Sequence, residues 1–176
     1  MHPRRQPAPP LNPVSLRALA LHYVGRFATT RGKLAIYLRR KVRERGWSID
    51  EAPDIQALVE EFAERAYVND QSYAEEKTAA LKRRGMGAFR IKAALQDAGI
   101  ENELVEGLTH ISEDEGQCLA LDFARRRRIG PYAISAPDDR LRKRWMAAFM
   151  RAGHSASNAR LILSMQPLDI PRDQTF

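Results

Sequence analysis

Apolar residues recur every three or four positions along most of the chain after Pro13, which is the spacing of one face of an α-helix. Two such stripes are Leu16, Leu19, Ala20, Tyr23, Val24 and Phe27, and Ile55, Leu58, Val59, Phe62, Ala63 and Ala66. The strict alternation of apolar and polar residues that is typical of a half-buried strand does not persist over a useful length. The pattern therefore predicts an all-α protein.

Three glycines, Gly46, Gly99 and Gly153, recur in similar surroundings, within RERGWS, QDAGIE and MRAGHS. Each ends a basic or mixed helical stretch and is followed by one bulky residue and then by a helix-capping or acidic residue. A glycine there supplies the left-handed backbone conformation that ends many helices. The separations of 53 and 54 residues indicate a helical unit repeated three times in tandem.

Each repeat is predicted to hold three helices. They are expected over 14–28, 30–45 and 53–67, over 70–84, 87–98 and 101–112, and over 114–128, 138–152 and 155–165. The corresponding boundaries are a flexible Pro-rich arm at 1–13, repeats at 14–68, 69–112 and 113–165, an inserted loop at 129–139, and a tail at 166–176. Because short helices bury their stripes only against neighbours, helix-turn-helix-like units of this kind favour an elongated, curved array.

The stretch KRRGMGAFRIK holds a Gly-x-Gly pair at Gly85 and Gly87. A dinucleotide-binding loop would follow a strand and would have a third glycine, where this chain has Arg90. We therefore expect Gly85 to end one helix and Gly87 to begin the next, as a tight corner.

Charge alternates along the chain, which carries a formal net charge of +7. Residues 14–50 hold nine basic and two acidic side chains, whereas 51–70 hold one basic and six acidic. The net charge is then +3 over 71–100, −6 over 101–116 and +6 over 117–153. Basic residues thus concentrate on the first two helices of each repeat, and acidic residues on the third helix of the first two. A basic surface of this kind favours a polyanionic partner.

The basic residues that we expect to form a binding surface lie on these first and second helices and on the corner between them. They are Arg39, Arg40, Lys41, Arg43, Lys82, Arg83, Arg84, Arg90, Lys92, Arg125, Arg126, Arg127, Arg128, Arg142, Lys143 and Arg144. If the repeats stack with a constant rotation, the second helices would form a row. Four consecutive arginines cannot all face one way on a helix, so at least one is expected to pack its stem on the core. The alternative is a set of solvated helix faces balanced by local ion pairs.

Aromatic residues at stripe positions, including Phe27, Phe62 and Phe123, are expected in the core. Phe89 and Tyr132 lie beside basic residues, the setting in which a ring can stack on a nucleobase. Packing at helix corners is the favoured interpretation for both.

No catalytic or metal-binding pattern emerges from the sequence. The histidines have no partner at metal-ligand spacing, and the single cysteine, Cys118, lies in an apolar run where a buried position is expected. We expect a non-enzymatic protein without a cofactor.

No apolar run approaches the roughly 18 residues of a membrane span, and the first residues lack the apolar region of an export signal, so a cytoplasmic location is expected.

The run YVNDQSYAEEKTAALKRRGMGAFRIKAALQDAGIENELVEGL resembles the central repeat of the RecX family, modulators of the bacterial RecA recombinase. The matching positions are Asp70, Tyr73, Ala74, Arg84, Gly85, Gly87, Arg90, Ile91, Leu95, Gly99 and Ile100. The flanking segments resemble the outer repeats, with Leu34, Leu38, Lys41, Gly46 and Trp47 matching in the first. The resemblance covers about residues 14 to 165.

We expect a monomer. The resemblance implies that it binds along the groove of the RecA filament on single-stranded DNA. It further implies that binding inhibits ATP hydrolysis, strand exchange and RecA-assisted self-cleavage of the LexA repressor, and so regulates recombination, DNA repair and the SOS response. Whether the protein also contacts DNA directly stays open on the sequence, and no membrane partner is expected.

Two other functions remain open on the residues alone. A helix-turn-helix regulator would bind duplex DNA with a strong site preference. A basic helical adaptor for another acidic partner would bind neither DNA nor RecA.

Overall fold

The computed structural model describes residues 9–165, and within them the chain forms nine α-helices, one 3₁₀ turn and no strand. The elements are α1 (Pro13–Val24), α2 (Arg31–Arg45), α3 (Ile55–Glu64), α4 (Asp70–Arg83), α5 (Ala88–Gln96), α6 (Asn102–Thr109), α7 (Glu113–Arg127), the 3₁₀ turn Gly130–Tyr132, α8 (Asp139–Arg151) and α9 (Ala156–Ser164). The all-α prediction is confirmed, and each predicted helix is present. The predicted tail and the first eight residues of the predicted arm lie outside the described residues. The division into three repeats stays a prediction.

Short polar side chains fix where most helices begin. Each accepts a hydrogen bond from a backbone N–H of the first turn, which would otherwise lack a partner. These capping residues are Asn12, Thr30, Asp54, Asn69, Ser112, Asp138 and Ser155. The cap of α3 is Asp54 and not Ser48, because the helix begins only at Ile55. The hydroxyl of Ser48 instead donates to the carbonyl of Leu11 at 3.1 Å.

One compact unit comprises residues 9–73 with 98–100. In it, α1 and α3 pack on α2 around a core of buried aliphatic side chains and Phe62. Leu11 belongs to this core: it is fully buried, and its N–H donates to the carbonyl of Gly46 at 2.9 Å. The predicted flexible arm therefore extends too far, because burial and hydrogen bonding hold residues 9–13 against the end of α2.

The second compact unit comprises residues 74–97 with 101–165. Its main core lies between α7, α8 and α9, where the rings of Phe123 and Phe149 approach to 5.1 Å between centroids. A separate contact joins α5 to α6, with Ile91, Leu95 and Val105 buried. The predicted loop at 129–139 contains the 3₁₀ turn, and Ile129 and Pro131 within it are also buried.

The Gly85–Gly87 corner docks on the Gly153 corner by direct backbone contact. The N–H of Gly87 donates to the carbonyl of Ala152 at 2.9 Å, and the N–H of Phe89 donates to that of Gly153 at 3.1 Å. A Cβ atom on Gly87 would overlap the Gly153 carbonyl, and a Cβ on Gly153 would overlap the backbone of Arg90. As predicted, α4 ends just before Gly85, and Gly87 is the N-cap of α5. Close packing of two helix corners, and not a phosphate loop, explains the glycine pair.

A similar docking occurs at the start of α2. A Cβ atom on Gly32 would lie 2.9 Å from the Cα of Gly99, and the hydroxyl of Thr30 donates to the carbonyl of Ala98. The two docked glycine pairs, 32 with 99 and 87 with 153, are separated by nearly the same number of residues along the chain. In the first pair, the start of α2 contacts the glycine that follows α5, and in the second pair the start of α5 contacts the glycine that follows α8. Each of these is the second helix of a predicted repeat, so both contacts join one predicted repeat to the next. This recurrence supports the tandem-repeat interpretation.

Two predictions about individual core residues are wrong. Cys118 is exposed, because it lies on a face of α7 away from the stripe that includes Leu119 and Phe123. Phe27 is 54% exposed, because α1 ends at Val24 and the chain turns before the ring can reach the core.

Substitution of Gly153 by alanine should strongly destabilise the protein. Gly153 has φ of +85°, and the added Cβ would overlap Arg90, so we expect the free energy of unfolding to fall by about 3 kcal/mol or more. Gly107→Ala is the control, since a Cβ there meets nothing within 4 Å in the middle of α6 and should raise stability by about 0.5–1 kcal/mol. Urea unfolding followed by circular dichroism measures both. Equal effects of the two substitutions would contradict the proposed docking.

Candidate binding surface

Most of the predicted basic residues are available at the surface. All are exposed except Lys41, Lys82 and Lys92, which are half-buried. Exposure alone does not make a charge available to a partner, because ion pairs within the protein can already neutralise it. The contacts of each cluster separate the two cases.

On α2, half of the predicted positive charge is engaged within the helix. Arg40 and Lys41 both approach Glu44, at 3.6 and 2.7 Å, and the hydrogen bond from Lys41 lowers the pKa of that carboxyl. Arg39 and Arg43 have no side-chain hydrogen bond or ion pair with the described residues, and their spacing of four places them on one face of the helix. These two arginines are the part of α2 that could bind an anion.

At the corner between α4 and α5, Lys82 is engaged by Glu115 at 2.6 Å. Arg84 and Arg90 are exposed and, among the described residues, have no ionic partner. The corner therefore presents two free guanidinium groups on a rigid backbone.

The arginine run at the end of α7 points its side chains in different directions. Arg125 pairs with Asp122 at 2.9 Å, and Arg126 donates to the carbonyl of Arg83 at 2.8 Å. The guanidinium carbon of Arg127 lies 5.8 Å from the centre of the buried Phe123 ring. Arg128 ends the helix in a left-handed conformation, with φ of +54°. All four are exposed, and the contact of Arg127 with the core is through its guanidinium group, so the predicted packing of an aliphatic stem stays a prediction.

The structure brings some of the predicted residues together within the second unit. Arg126 contacts Arg83, and Arg127 lines a groove with Arg144 of α8, while Arg142 and Lys143 are exposed elsewhere on that helix. The basic residues of α2 belong to the other unit. The predicted row of second helices stays a prediction.

The acidic third helix of the first repeat is partly neutralised by its own unit. Arg17 of α1 makes a two-pronged contact with Glu61 of α3, at 2.5 and 2.6 Å, and Arg65 approaches the same carboxylate at 2.9 Å. The hydrogen bond from Arg17 lowers the pKa of Glu61. Not all charge of either sign is therefore available to a partner.

Sequence reasoning missed two features of this surface. Phe89 is 65% exposed rather than packed in its corner: its backbone N–H donates to the carbonyl of Gly153, while most of its side chain reaches solvent. Trp145 and Arg151 line the groove that contains Arg127 and Arg144. Arg144, Ala148 and Arg151 are spaced four and three residues apart, which places them on one face of a helix. This part of the groove could therefore have been predicted from the sequence.

The described residues contain no group of three or more histidine, cysteine, aspartate or glutamate side chains arranged to hold a metal ion. Within the same residues, no helix is long and apolar enough to cross a membrane.

Comparisons with known proteins define the family. No family model matches the chain. The chain is 31% identical over 171 residues to the regulatory protein RecX of Myxococcus xanthus, covering 89% of this chain and 88% of the relative. The RecX protein of Neisseria meningitidis is 34% identical over 119 residues, covering 68% and 72% of the two chains.

The chain belongs to the RecX family. The fold agrees, since the crystal structure of RecX from Lactobacillus salivarius matches with a TM-score of 0.56 at 20% identity, over 85% of this chain and 93% of that one. A second crystal structure of regulatory protein RecX matches with a TM-score of 0.59 at 16% identity, over 85% and 70%.

Most positions that match the RecX central repeat are packing positions in this structure. Asp70 accepts a hydrogen bond from the N–H of Arg31 at 2.9 Å, and the hydroxyl of Tyr73 contacts the ammonium group of Lys33. The others that pack are Ala74, Gly85, Gly87, Ile91, Leu95, Gly99 and Ile100. Arg84 and Arg90 differ, because they are exposed and without an ionic partner among the described residues. They are the RecX-like residues best placed to contact a partner.

His154 connects the two docked corners of this RecX chain. It is 2% exposed, its ring packs against those of Phe123 and Phe149 at 5.2 and 5.5 Å between centroids, and its Nε2 donates to the carbonyl of Gly85 at 3.0 Å. Burial lowers the pKa of His154, against a smaller opposing effect of this hydrogen bond. The imidazole is therefore kept neutral in the folded protein.

The protein should lose stability as the pH falls below about 6.5, the ordinary pKa of histidine. In that range the unfolded chain takes up a proton that folded His154 resists, whereas above it the stability is fully present. His154→Gln should flatten this dependence while still offering a donor to Gly85. His110→Gln, at an exposed position, is the control and should preserve it. Urea unfolding between pH 5 and 8 tests this, and the same pH dependence in His154→Gln would contradict it.

Proposed function

We propose that this protein is a non-enzymatic inhibitor of RecA. It binds the RecA filament on single-stranded DNA and reduces its ATP hydrolysis, its strand exchange and its assistance to LexA self-cleavage. The observation that carries this proposal is that Arg84 and Arg90, at RecX-like positions, are exposed and unpaired among the described residues. Membership of the RecX family points to RecA as the partner. Arg84 and Arg90 are the residues that we propose to contact it.

The corner geometry supports binding without covalent chemistry. Gly87 donates its backbone N–H to the second corner, and Gly85 packs against the backbone of Phe123 while its carbonyl accepts from His154, so Arg84 and Arg90 extend from a backbone that has little freedom to move. Preorganised cations lose less conformational freedom on binding than cations on a flexible loop. The filament offers both protein carboxylates and DNA phosphates as partners. Inhibition then follows from steric and electrostatic obstruction of the filament.

Direct contact with DNA is a part of the proposal that rests on a different residue. The exposed ring of Phe89 neighbours Arg90, and an aromatic ring beside a cation is the arrangement on which single-stranded bases stack. Stacking tolerates any base, so this contact would not require a specific sequence.

Reversing charge at the corner should weaken inhibition of RecA. We expect the double variant R84E/R90E to need about tenfold more protein for half-inhibition of RecA ATP hydrolysis on single-stranded DNA, since each tenfold corresponds to about 1.4 kcal/mol of binding. The matched control is K77E/R160E, which changes the net charge equally at exposed positions on α4 and α9. It should stay within about twofold of the unmodified protein.

The unmodified protein should inhibit at amounts too small to coat the DNA. Two results would overturn the proposal: no inhibition even at excess protein, or equal loss in the corner variant and its matched control. Strong duplex binding with a site preference, without an effect on RecA, would instead favour a DNA-binding regulator.

Removal of the Phe89 ring should weaken binding to single-stranded DNA in the absence of RecA. Phe89→Ala is expected to cost about 1–3 kcal/mol, or roughly five- to more than hundredfold in affinity. Phe89→Tyr retains a ring and should bind nearly as well as the unmodified protein. Fluorescence anisotropy with labelled oligothymidine measures both. If the alanine variant binds like the tyrosine variant, the ring does not stack on DNA.

A further inference from the structure

The second unit carries a groove whose shape and charge are not explained by its own packing. Its volume is about 440 Å³, and α7, α8 and the residues beside them line it. Met86, Phe123, Ile129 and Trp145 contribute apolar surface to its floor. This volume lies within the range of roughly 300–1,000 Å³ that is typical of binding pockets.

Three arginines surround this apolar floor. They are Arg127, Arg144 and Arg151, and no acidic side chain is among the described residues that line the groove. None of the three has a carboxylate partner in the described part of the chain, and Arg127 contacts only the face of Phe123. Three like charges around one apolar surface repel one another, and an anionic ligand would relieve this repulsion.

We propose that this groove binds an acidic peptide segment that carries one aromatic or long aliphatic side chain. The apolar side chain occupies the floor beside Trp145, and flanking carboxylates pair with the arginines. Guanidinium groups suit this role, because they bind carboxylates through two parallel hydrogen bonds. An aromatic or aliphatic anchor with charged neighbours is also the usual composition of a strong protein–peptide contact.

The lining favours a peptide over a nucleobase. Apart from the arginines, the side chains that line the groove are apolar or carry only the indole N–H of Trp145. The arginines can donate to the acceptor atoms of a base, but no lining side chain offers an oxygen acceptor, so the N–H groups of a base buried here would lack partners, at a cost of roughly 1–3 kcal/mol for each. A phenylalanine or leucine side chain has no such atoms. The floor therefore matches a protein side chain better than a base.

This inference does not rest on the proposed function. Arg127 and Arg144 also belong to the basic surface predicted for the filament, but Trp145 and Arg151 do not. The groove could recognise an acidic segment of any protein partner, and its test contains neither RecA nor DNA in the primary measurement.

The test uses three fluorescein-labelled pentapeptides and the full-length protein. Asp-Asp-Phe-Asp-Asp is the probe, Asp-Asp-Ala-Asp-Asp removes the anchor, and Lys-Lys-Phe-Lys-Lys reverses the charge. We expect fluorescence anisotropy to show at least tenfold tighter binding of the first peptide than of either other peptide. Unlabelled oligothymidine should compete poorly for the bound probe.

Two kinds of variant separate the groove from general basicity. R144E/R151E should weaken binding of the probe at least tenfold, whereas K77E/R160E, with the same net charge, should bind it within about twofold of the unmodified protein. Ala147→Phe adds volume at the lining without changing charge, and it should also weaken binding. Circular dichroism spectra establish that each variant is folded.

Several outcomes would overturn the proposal. Absence of probe binding, equal affinity for the phenylalanine and alanine peptides, or equal loss in both charge variants would each do so. Strong competition by oligothymidine would assign the groove to nucleic acid instead. If the protein binds the probe peptide but does not inhibit RecA, the peptide-binding groove is supported and only the proposed function is overturned.

Discussion

Direct backbone contact between two helix corners is the constraint on which the second unit depends. Gly87 and Gly153 approach so closely that neither position has space for a Cβ atom, and hydrogen bonds from Gly87 and Phe89 hold the contact. His154 adds a buried hydrogen bond to Gly85 and packs its ring against those of Phe123 and Phe149. A rigid corner results, because its conformation is fixed from both sides rather than by local turn geometry alone. Gly32 and Gly99 make a comparable approach in the first unit.

The same constraint explains why RecX-like positions and basic positions have different roles. Asp70, Gly85, Gly87, Ile91 and Gly99 set the corners and the packing around them. Most basic residues lie outside this set, and packing of the corners does not fix which groups their side chains contact. Arg84 and Arg90 belong to both sets, since their backbone lies within the docked corner and their side chains reach solvent. The fold thus determines where these two residues lie, although neither side chain forms an ion pair with the described residues that would stabilise the fold.

Ion pairing within the protein divides the basic residues into two groups. Lys41, Lys82 and Arg125 have carboxylate partners, whereas Arg39 and Arg43 form no ion pair with the described residues. Surface ion pairs of this kind contribute little to stability. Their larger effect is to reduce the charge offered to a partner. The net charge of a segment therefore overestimates the positive charge that is available for binding. Both the filament proposal and the peptide groove rely on cations that remain after this pairing.

The sequence by itself determined the helices, their order and the glycine corners. Period-3.6 stripes depend only on local spacing, and capping residues such as Asp138 and Ser155 act within their own first turn, so neither needs tertiary information. It also placed Gly85 and Gly87 correctly in a corner. Only the tertiary structure decided which glycine meets which, that Leu11 joins a core, that Phe89 and Cys118 are exposed, and which arginines are paired. The pairs that Arg40 and Lys41 form with Glu44, and Arg125 with Asp122, are local, at spacings of three or four residues, and for them the structure decided only which possible partner is contacted. The other features depend on contacts between residues far apart in the chain, such as Gly87 with Gly153, and local periodicity carries no record of such contacts.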